Sequence, residues 1–182
     1  MKLSGILSTF AVVVTLMAST SCSDKKFDVS GNITDAKDSL LYFENMSLNG
    51  AVVVDSVRLD EDGSFDFSVN APEAPEFYRL RIANQIINIA ADSIGEVAVK
   101  ASYPTMATDY EVTGSDDCSK IKELAIRQMA LQANINGIIA NRTLDADHVR
   151  DSIRTVLAVY KEQVKNDYIF KEPMRAYSYF AL

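Results

Sequence analysis

The chain has 182 residues, 48% of them apolar and 24% charged, with seven glycines, four prolines and no tryptophan; those are ordinary globular proportions and exclude collagen-like, low-complexity and wholly disordered chains. The formal charge is −7 and the pI about 4.7, and no cluster of Lys and Arg is present, so a nucleic-acid partner is excluded and anionic membrane surfaces are poor electrostatic partners. One histidine and two cysteines far apart in the chain leave little for a transition-metal site, and no cofactor is expected.

The first element is an address. Lys2 supplies a short positive region, Ile6–Ala18 are an apolar stretch, and the small residues Ser19, Thr20 and Ser21 lead into Cys22. The apolar stretch is too short for a bilayer core, which takes about 20 residues, so residues 1–21 are expected to be a cleaved export signal and not a membrane helix. A cysteine directly after the small residues resembles the lipobox of bacterial lipoproteins, which implies acylation of Cys22, although Ser19 replaces the usual Leu or Val at the outer position. The alternative is an ordinary secretory signal that contains a cysteine. Cleavage before Cys22 would leave 161 residues with 17 basic and 25 acidic side chains. Residues 22–26 then form a short polar tether, less acidic than known surface-export signals. The expected location is therefore the cell envelope, lipid-anchored and facing the periplasm, with the cell surface as the alternative. The expected partner at this end is the lipid bilayer, through the acyl anchor.

From residue 27 to 114 the pattern is that of strands. Phe65, Phe67 and Val69 alternate with Asp66 and Ser68; Tyr78, Leu80 and Ile82 with Arg79 and Arg81; Tyr110 and Val112 with Asp109 and Glu111. Similar runs occur at 27–34, 40–44, 52–59, 85–90 and 96–101. Strands with one polar face belong to antiparallel sheets. Asn49-Gly50 predicts a type I′ hairpin turn, Asp60–Gly63 a hairpin loop with glycine in the left-handed region, and Asn84-Gln85 a tight reversal. The fold class expected is mainly β with α: an antiparallel β-sandwich or partly open barrel of about eight strands, followed by a helical hairpin.

The runs Phe27–Thr34 and Asp55–Phe67, with Ile94–Val99 and Tyr110–Ser115 behind them, resemble the domain of unknown function 4369. That is a β-rich domain at the front of exported, lipid-anchored thioredoxin-like proteins of the AhpC/TSA type. The resemblance covers residues 27 to about 125. It implies a helical stretch next and then a thioredoxin fold with Cys-x-x-Cys. No Cys-x-x-Cys is present, so no redox role passes to any residue of this chain.

Residues 115–182 read as helical. Ser115 or Asp116 can cap a helix whose start is acidic, with Ile121, Leu124, Leu131, Ile135 and Ile138 at helical spacing and Gly137 weakening its far end. A second helix begins near Asp145 and carries Val149, Ile153, Val156, Leu157, Tyr160 and Val164 on one face. The two joined by Asn141–Leu144 make a helical hairpin. Pro173 opens a third, apolar and aromatic segment, Met174–Leu182. It is expected either to dock back on the domain or to lead into a further C-terminal domain, and the family layout favours the second.

Candidate chemistry is sparse. His148 falls in the first turn of a helix with no nucleophile near it, and is read as a solvated histidine. Asp60, Asp62 and Asp66 lack the further oxygens and terminal Glu of a calcium loop, so they are read as turn residues and no metal site is expected. Asp116 and Asp117, and Glu73 with Glu76, are accounted for by a helix start and a loop. Tyr42, Phe43, Phe65, Phe67, Phe77 and Tyr78 are read as sandwich core in preference to a sugar-stacking platform. Cys118 is expected to be buried near a helix start. The triplets at Ser39, Ser56, Ser93 and Ser152, each Asp-Ser followed by an aliphatic residue, resemble an O-glycosylation acceptor of some Gram-negative anaerobes; the alternative is turn chemistry before a strand. Asn-x-Ser/Thr at Asn32, Asn45 and Asn141 carries little meaning in a bacterial chain. No catalytic residue is assigned. The function expected is a non-catalytic envelope module that binds or positions an envelope protein or a downstream thioredoxin-like domain. The alternatives are the front portion of a periplasmic thiol–disulfide oxidoreductase and, more weakly, a stand-alone binder of a glycan or peptide.

Overall fold

A computed structural model describes residues 25–182; the expected signal at 1–21 and the acylation site Cys22 lie outside the described residues. Eight strands are followed by helices: β1 (Lys26–Thr34), β2 (Leu40–Ser47), β3 (Gly50–Arg58), β4 (Ser64–Asn70), β5 (Glu76–Ile82), β6 (Gln85–Ala91), β7 (Gly95–Ser102) and β8 (Tyr110–Thr113), then α1 (Asp116–Ala140), α2 (Ala146–Val164) and α3 (Ala176–Phe180). They form two open four-stranded sheets, β4-β1-β7-β8 and β3-β2-β5-β6. The alternation seen in the sequence points Phe27, Val29, Phe67, Val97 and Val99 of one sheet at Leu41, Phe43, Leu80, Ile87 and Ile89 of the other, all of them buried. At the centre Phe43 stacks on Phe67 across the sheets and on Tyr78 within its own, at centroid distances of 5.1 and 4.9 Å. Tyr42 and Phe77 are the exceptions to the expected aromatic core, since the pleat turns them to the outer face of the second sheet.

Three details differ from the sequence reading. The β2–β3 reversal has Leu48 and Asn49 at its centre, with Ser47 opposite Gly50, and of these residues Gly50 alone has positive φ (+111°). The cause is Ser47, whose hydroxyl donates to the Gly50 carbonyl (2.7 Å) and accepts from the Asn49 N–H (3.3 Å), drawing the turn one residue earlier. The reversal predicted at Asn84-Gln85 likewise sits one residue earlier, with Ile82 opposite Gln85 and Ala83 at φ +50°. The Asp60–Gly63 loop is not a hairpin: β3 belongs to one sheet and β4 to the other, so this loop crosses the sandwich. Alternation on both sides of a loop reports which faces are apolar, not whether the two strands pair. One strand pair, β1 with β7, is parallel; the rest are antiparallel.

The strand β3 forms an edge and is exposed along nearly its whole length, with Val54 as the extra residue of a bulge opposite Phe43 and Glu44. At the other side of the sandwich α1 packs on β6 and β8. Its first two turns are buried through Cys118, Ile121 and Leu124, whereas no residue from Ala125 to Gln163 is buried. The helical hairpin therefore projects from the body. Below it α2 passes into a single wider π-helical turn at Lys165–Ile169, closed by Phe170 N–H to the Lys165 carbonyl (2.9 Å). Among the described residues no helix is long and apolar enough to cross a membrane.

Candidate functional site

One set of polar contacts gathers where the start of α1 meets the C-terminal segment. Ser115 begins it: its hydroxyl accepts the Cys118 N–H (3.2 Å) and caps α1, which settles the choice between Ser115 and Asp116. Capping sets the first turn so that Asp117 points inward and is almost fully buried. One oxygen of Asp117 accepts the Tyr177 N–H (3.1 Å) and the other pairs with the Arg175 guanidinium (3.0 Å). The carboxylate beside Arg175 holds that guanidinium above its already high range. The Tyr177 hydroxyl donates to Glu172 (2.6 Å), and this hydrogen bond, with burial, pushes it up to about 12. The Ser178 hydroxyl lies 2.7 Å from the carbonyls of both Tyr168 and Glu172. Phe180 packs on Phe77 at 5.4 Å, and Tyr168 meets the edge of Tyr177. The apolar third segment thus docks on the body: Ala176, Tyr177 and Ser178 are buried although α3 has only five residues.

Cys118 is buried, as expected, and bridges α1 to the β6 edge. Its sulfur accepts the Ala90 N–H (3.3 Å) and its S–H donates to the Ala90 carbonyl (3.4 Å), so both otherwise unpaired edge groups are satisfied. Burial pushes the thiol up, away from the thiolate that redox or nucleophilic chemistry needs. Beside it the hydroxyl of buried Tyr110 has no hydrogen-bond partner among the described residues.

A second cluster lies on the outer face of the β3-β2-β5-β6 sheet. Glu44 is 3% exposed and accepts from Arg79 Nε and from Arg81 Nε (3.0 Å) and Nη2 (2.6 Å), while Arg81 also lies over the Tyr42 ring at 4.4 Å. The Arg81 hydrogen bonds lead in holding the carboxyl below its ordinary range, against the opposing effect of burial. A carboxylate held ionised by two guanidinium groups is a clamp between strands and not a proton donor at neutral pH. Sequence reasoning noted Arg79 and Arg81 but missed their partner. The available signal was that Glu44 shares a face of β2 with Tyr42; only the register with β5 brings Arg79 and Arg81 to it.

The remaining candidates are dispersed. Ser93 is exposed in the β6–β7 loop and Ser39 precedes β2, half-buried; both suit turn chemistry. Ser56 lies within β3 and Ser152 within α2, so that account does not cover them. His148 is exposed and its Nδ1 lies 2.8 Å from Asp145, the residue that caps α2. The carboxylate of Asp60 is taken up by the N–H groups of Asp62 and Gly63, both at 3.0 Å. Among the described residues no group of three or more His, Cys, Asp or Glu could hold a metal ion.

A family model described as "Domain of unknown function (DUF4369)" matches residues 27–120. Among solved structures, the crystal structure of (S)-allantoin synthase is similar over 52% of this chain and 45% of its own, at 11% identity and a TM-score of 0.36. The chain therefore spans less than half the length of that protein. The N-terminal domain of AlgF from P. aeruginosa is similar over 50% of this chain and 95% of its own, at 14% identity and a TM-score of 0.33. Both likenesses are too distant to carry an argument. No curated protein matches the chain.

Proposed function

Starting from the fact that this chain belongs to the family described as Domain of unknown function (DUF4369), we propose that it is a non-catalytic module of the cell envelope, anchored by lipid at Cys22, which holds a partner at a set place. The partner is an envelope protein or, on the family resemblance, a thioredoxin-like domain. The observation that supports this reading is the docking of the C-terminal segment. Asp117, at the root of α1, ties down both Arg175 and the Tyr177 backbone, so a group joined at this end would be carried by the body without swinging on a tether. The chemistry of the described residues fits a module without a reaction of its own: the one thiol among them is buried and shifted away from reactivity, and Glu44 is locked between two arginines.

Two measurements test the proposal. The purified chain is expected to give no reduction of insulin disulfides by dithiothreitol above background, and clear turnover would overturn the non-catalytic reading. In cells, Cys22→Ala is expected to leave the detergent phase for the aqueous phase; a variant that stays with the membrane would refute the anchor.

A further inference from the structure

We propose that the projecting α1–α2 hairpin is an interface with a second copy of this chain, two hairpins pairing about a two-fold axis into a four-helix bundle. This goes beyond the envelope-module reading and does not rest on it.

The case begins with charge. About a quarter of the chain is charged, so a stretch of fourteen residues should hold roughly three charges; Gln128–Asn141, the distal part of α1 with its C-cap, holds none. Yet no residue of this stretch is buried. A solvated helix face normally carries Lys, Glu and Arg, whereas here the polar positions are Gln128, Gln132, Asn134, Asn136 and Asn141.

The groove beside α1 has the same character. It measures about 610 Å³ and is lined by Ala130, Leu131 and Asn134 of α1 and Val156, Val159 and Gln163 of α2, with Arg127 at its body end. Arg127 is itself neutralised by Asp167 (3.1 Å) and lies over the Tyr168 ring. Helical spacing puts Gly137 on the Ala130–Asn134 side of α1, and a Cβ there would meet nothing within 4 Å. Along α2 the same side carries Ser152, Thr155, Val159 and Gln163, with His148 at the tip paired to Asp145 (2.8 Å). Arg150, Arg154 and Lys161 lie on another face, around Ile153 and Leu157. Val159 is 53% exposed at the lip of the groove.

These features select a second copy as the occupant. A chain with a net charge of −7 repels its own copy through any acidic face, and an uncharged face removes that penalty. An isologous contact places each residue near its own symmetry mate. A carboxylate or an ammonium group cannot pair with itself, but an amide donates and accepts at once and can. A partner of unrelated sequence sets no such condition, and charged residues would serve it equally well. The small side chains at Ala130 and Gly137 allow a second helix to approach closely, and Val159 of each copy then enters the groove of the other. Such packing would bury the Leu131, Val156 and Tyr160 stripe that the isolated hairpin leaves half in water. It would also occupy Ser152, so glycosylation of that serine and this interface exclude one another.

The test is sedimentation equilibrium of the purified chain over a concentration series up to about 100 µM, well beyond the range of stable specific dimers. The mass is expected to rise to twice that of the single chain. Val159→Glu and Ala130→Glu, both at solvent-facing positions, are expected to keep the native circular dichroism spectrum and to weaken association by at least about tenfold. Arg154→Glu, on the charged side of α2, is expected to leave association unchanged. A chain that stays monomeric throughout overturns the proposal. So does a dimer that tolerates both glutamates, or one that is lost when Val53 on the exposed β3 edge is replaced by Lys.

Discussion

At the scale of single residues, two buried polar groups carry opposite signs. Glu44 is satisfied by both arginines across from it, and its folded pKa is lowered below the ordinary 4.5. A carboxylate depressed on folding contributes stability that is fully present above its unfolded pKa and is lost as pH falls through the folded value. Replacing it by Gln is expected to cost about 1–2 kcal/mol at neutral pH, the figure kept low because both arginines retain solvent. Urea melts at pH 7 and at successively lower pH below 4.5 check both points: the gap between Glu44→Gln and the parent should narrow as the solution is acidified. Tyr110 is the reverse case, a buried hydroxyl without a partner among the described residues. Tyr110→Phe removes a desolvated group and keeps the ring, so it is expected to raise stability by up to about 1 kcal/mol, read as a higher urea midpoint at unchanged slope. Neither residue could be ranked from the sequence. Glu44 looks like any outward residue of a half-wet strand, and Tyr110 like any core aromatic; burial and partners arise only when strands and helix are brought together.

At the scale of elements, the turns and crossings carry the instructive differences. The strands of the sandwich were legible as period-two runs, because apolar alternation is imposed by the pleat itself; the edge strand β3, with Val52, Val53 and Val54 in succession and all exposed, is the exception. What followed each run was not. Ser47 moved one turn by hydrogen bonding its own loop, and the Asp60–Gly63 loop proved to be a crossing between sheets. Gly63 shows why that crossing needs glycine: φ is +67°, and a Cβ would lie 2.0 Å from the Ile33 carbonyl oxygen, the residue whose N–H donates to the Gly63 carbonyl (2.9 Å). Gly63→Ala is therefore expected to destabilise by about 2–4 kcal/mol, through strain at positive φ and separation of the loop from β1. Thermal denaturation of the variant checks it, and a loss below about 0.5 kcal/mol would show that the loop can relax. The helices follow the same rule. Their apolar stripes were plain in the sequence, but the stripe of α1 is covered only as far as Leu124, since the body ends there.

At the scale of the whole molecule, the C-terminal segment is joined to the body by contacts between residues some sixty positions apart. Arg175 is 44% exposed, so its pairing with Asp117 is partly screened. Arg175→Ala is accordingly expected to cost only about 1 kcal/mol in global stability. Its local effect should be larger: the Tyr177 amide, which donates to the same carboxylate, is expected to exchange with solvent faster by about tenfold or more. Hydrogen exchange resolved by residue is the check. Unchanged protection at Tyr177 would mean that Phe180 on Phe77, not the ion pair, seats the segment, and the positioning role would lose its main support.

The elements, the class of fold and the family were legible in the chain alone, because each depends on local periodicity, turn residues and composition. Only the tertiary structure decided which strands pair, that β1 lies parallel to β7, that Asp117 reaches Arg175 and Tyr177, and that the α1–α2 hairpin stands clear of the core. Those outcomes are set by contacts between distant segments, where register and packing choose among arrangements that the local pattern allows equally.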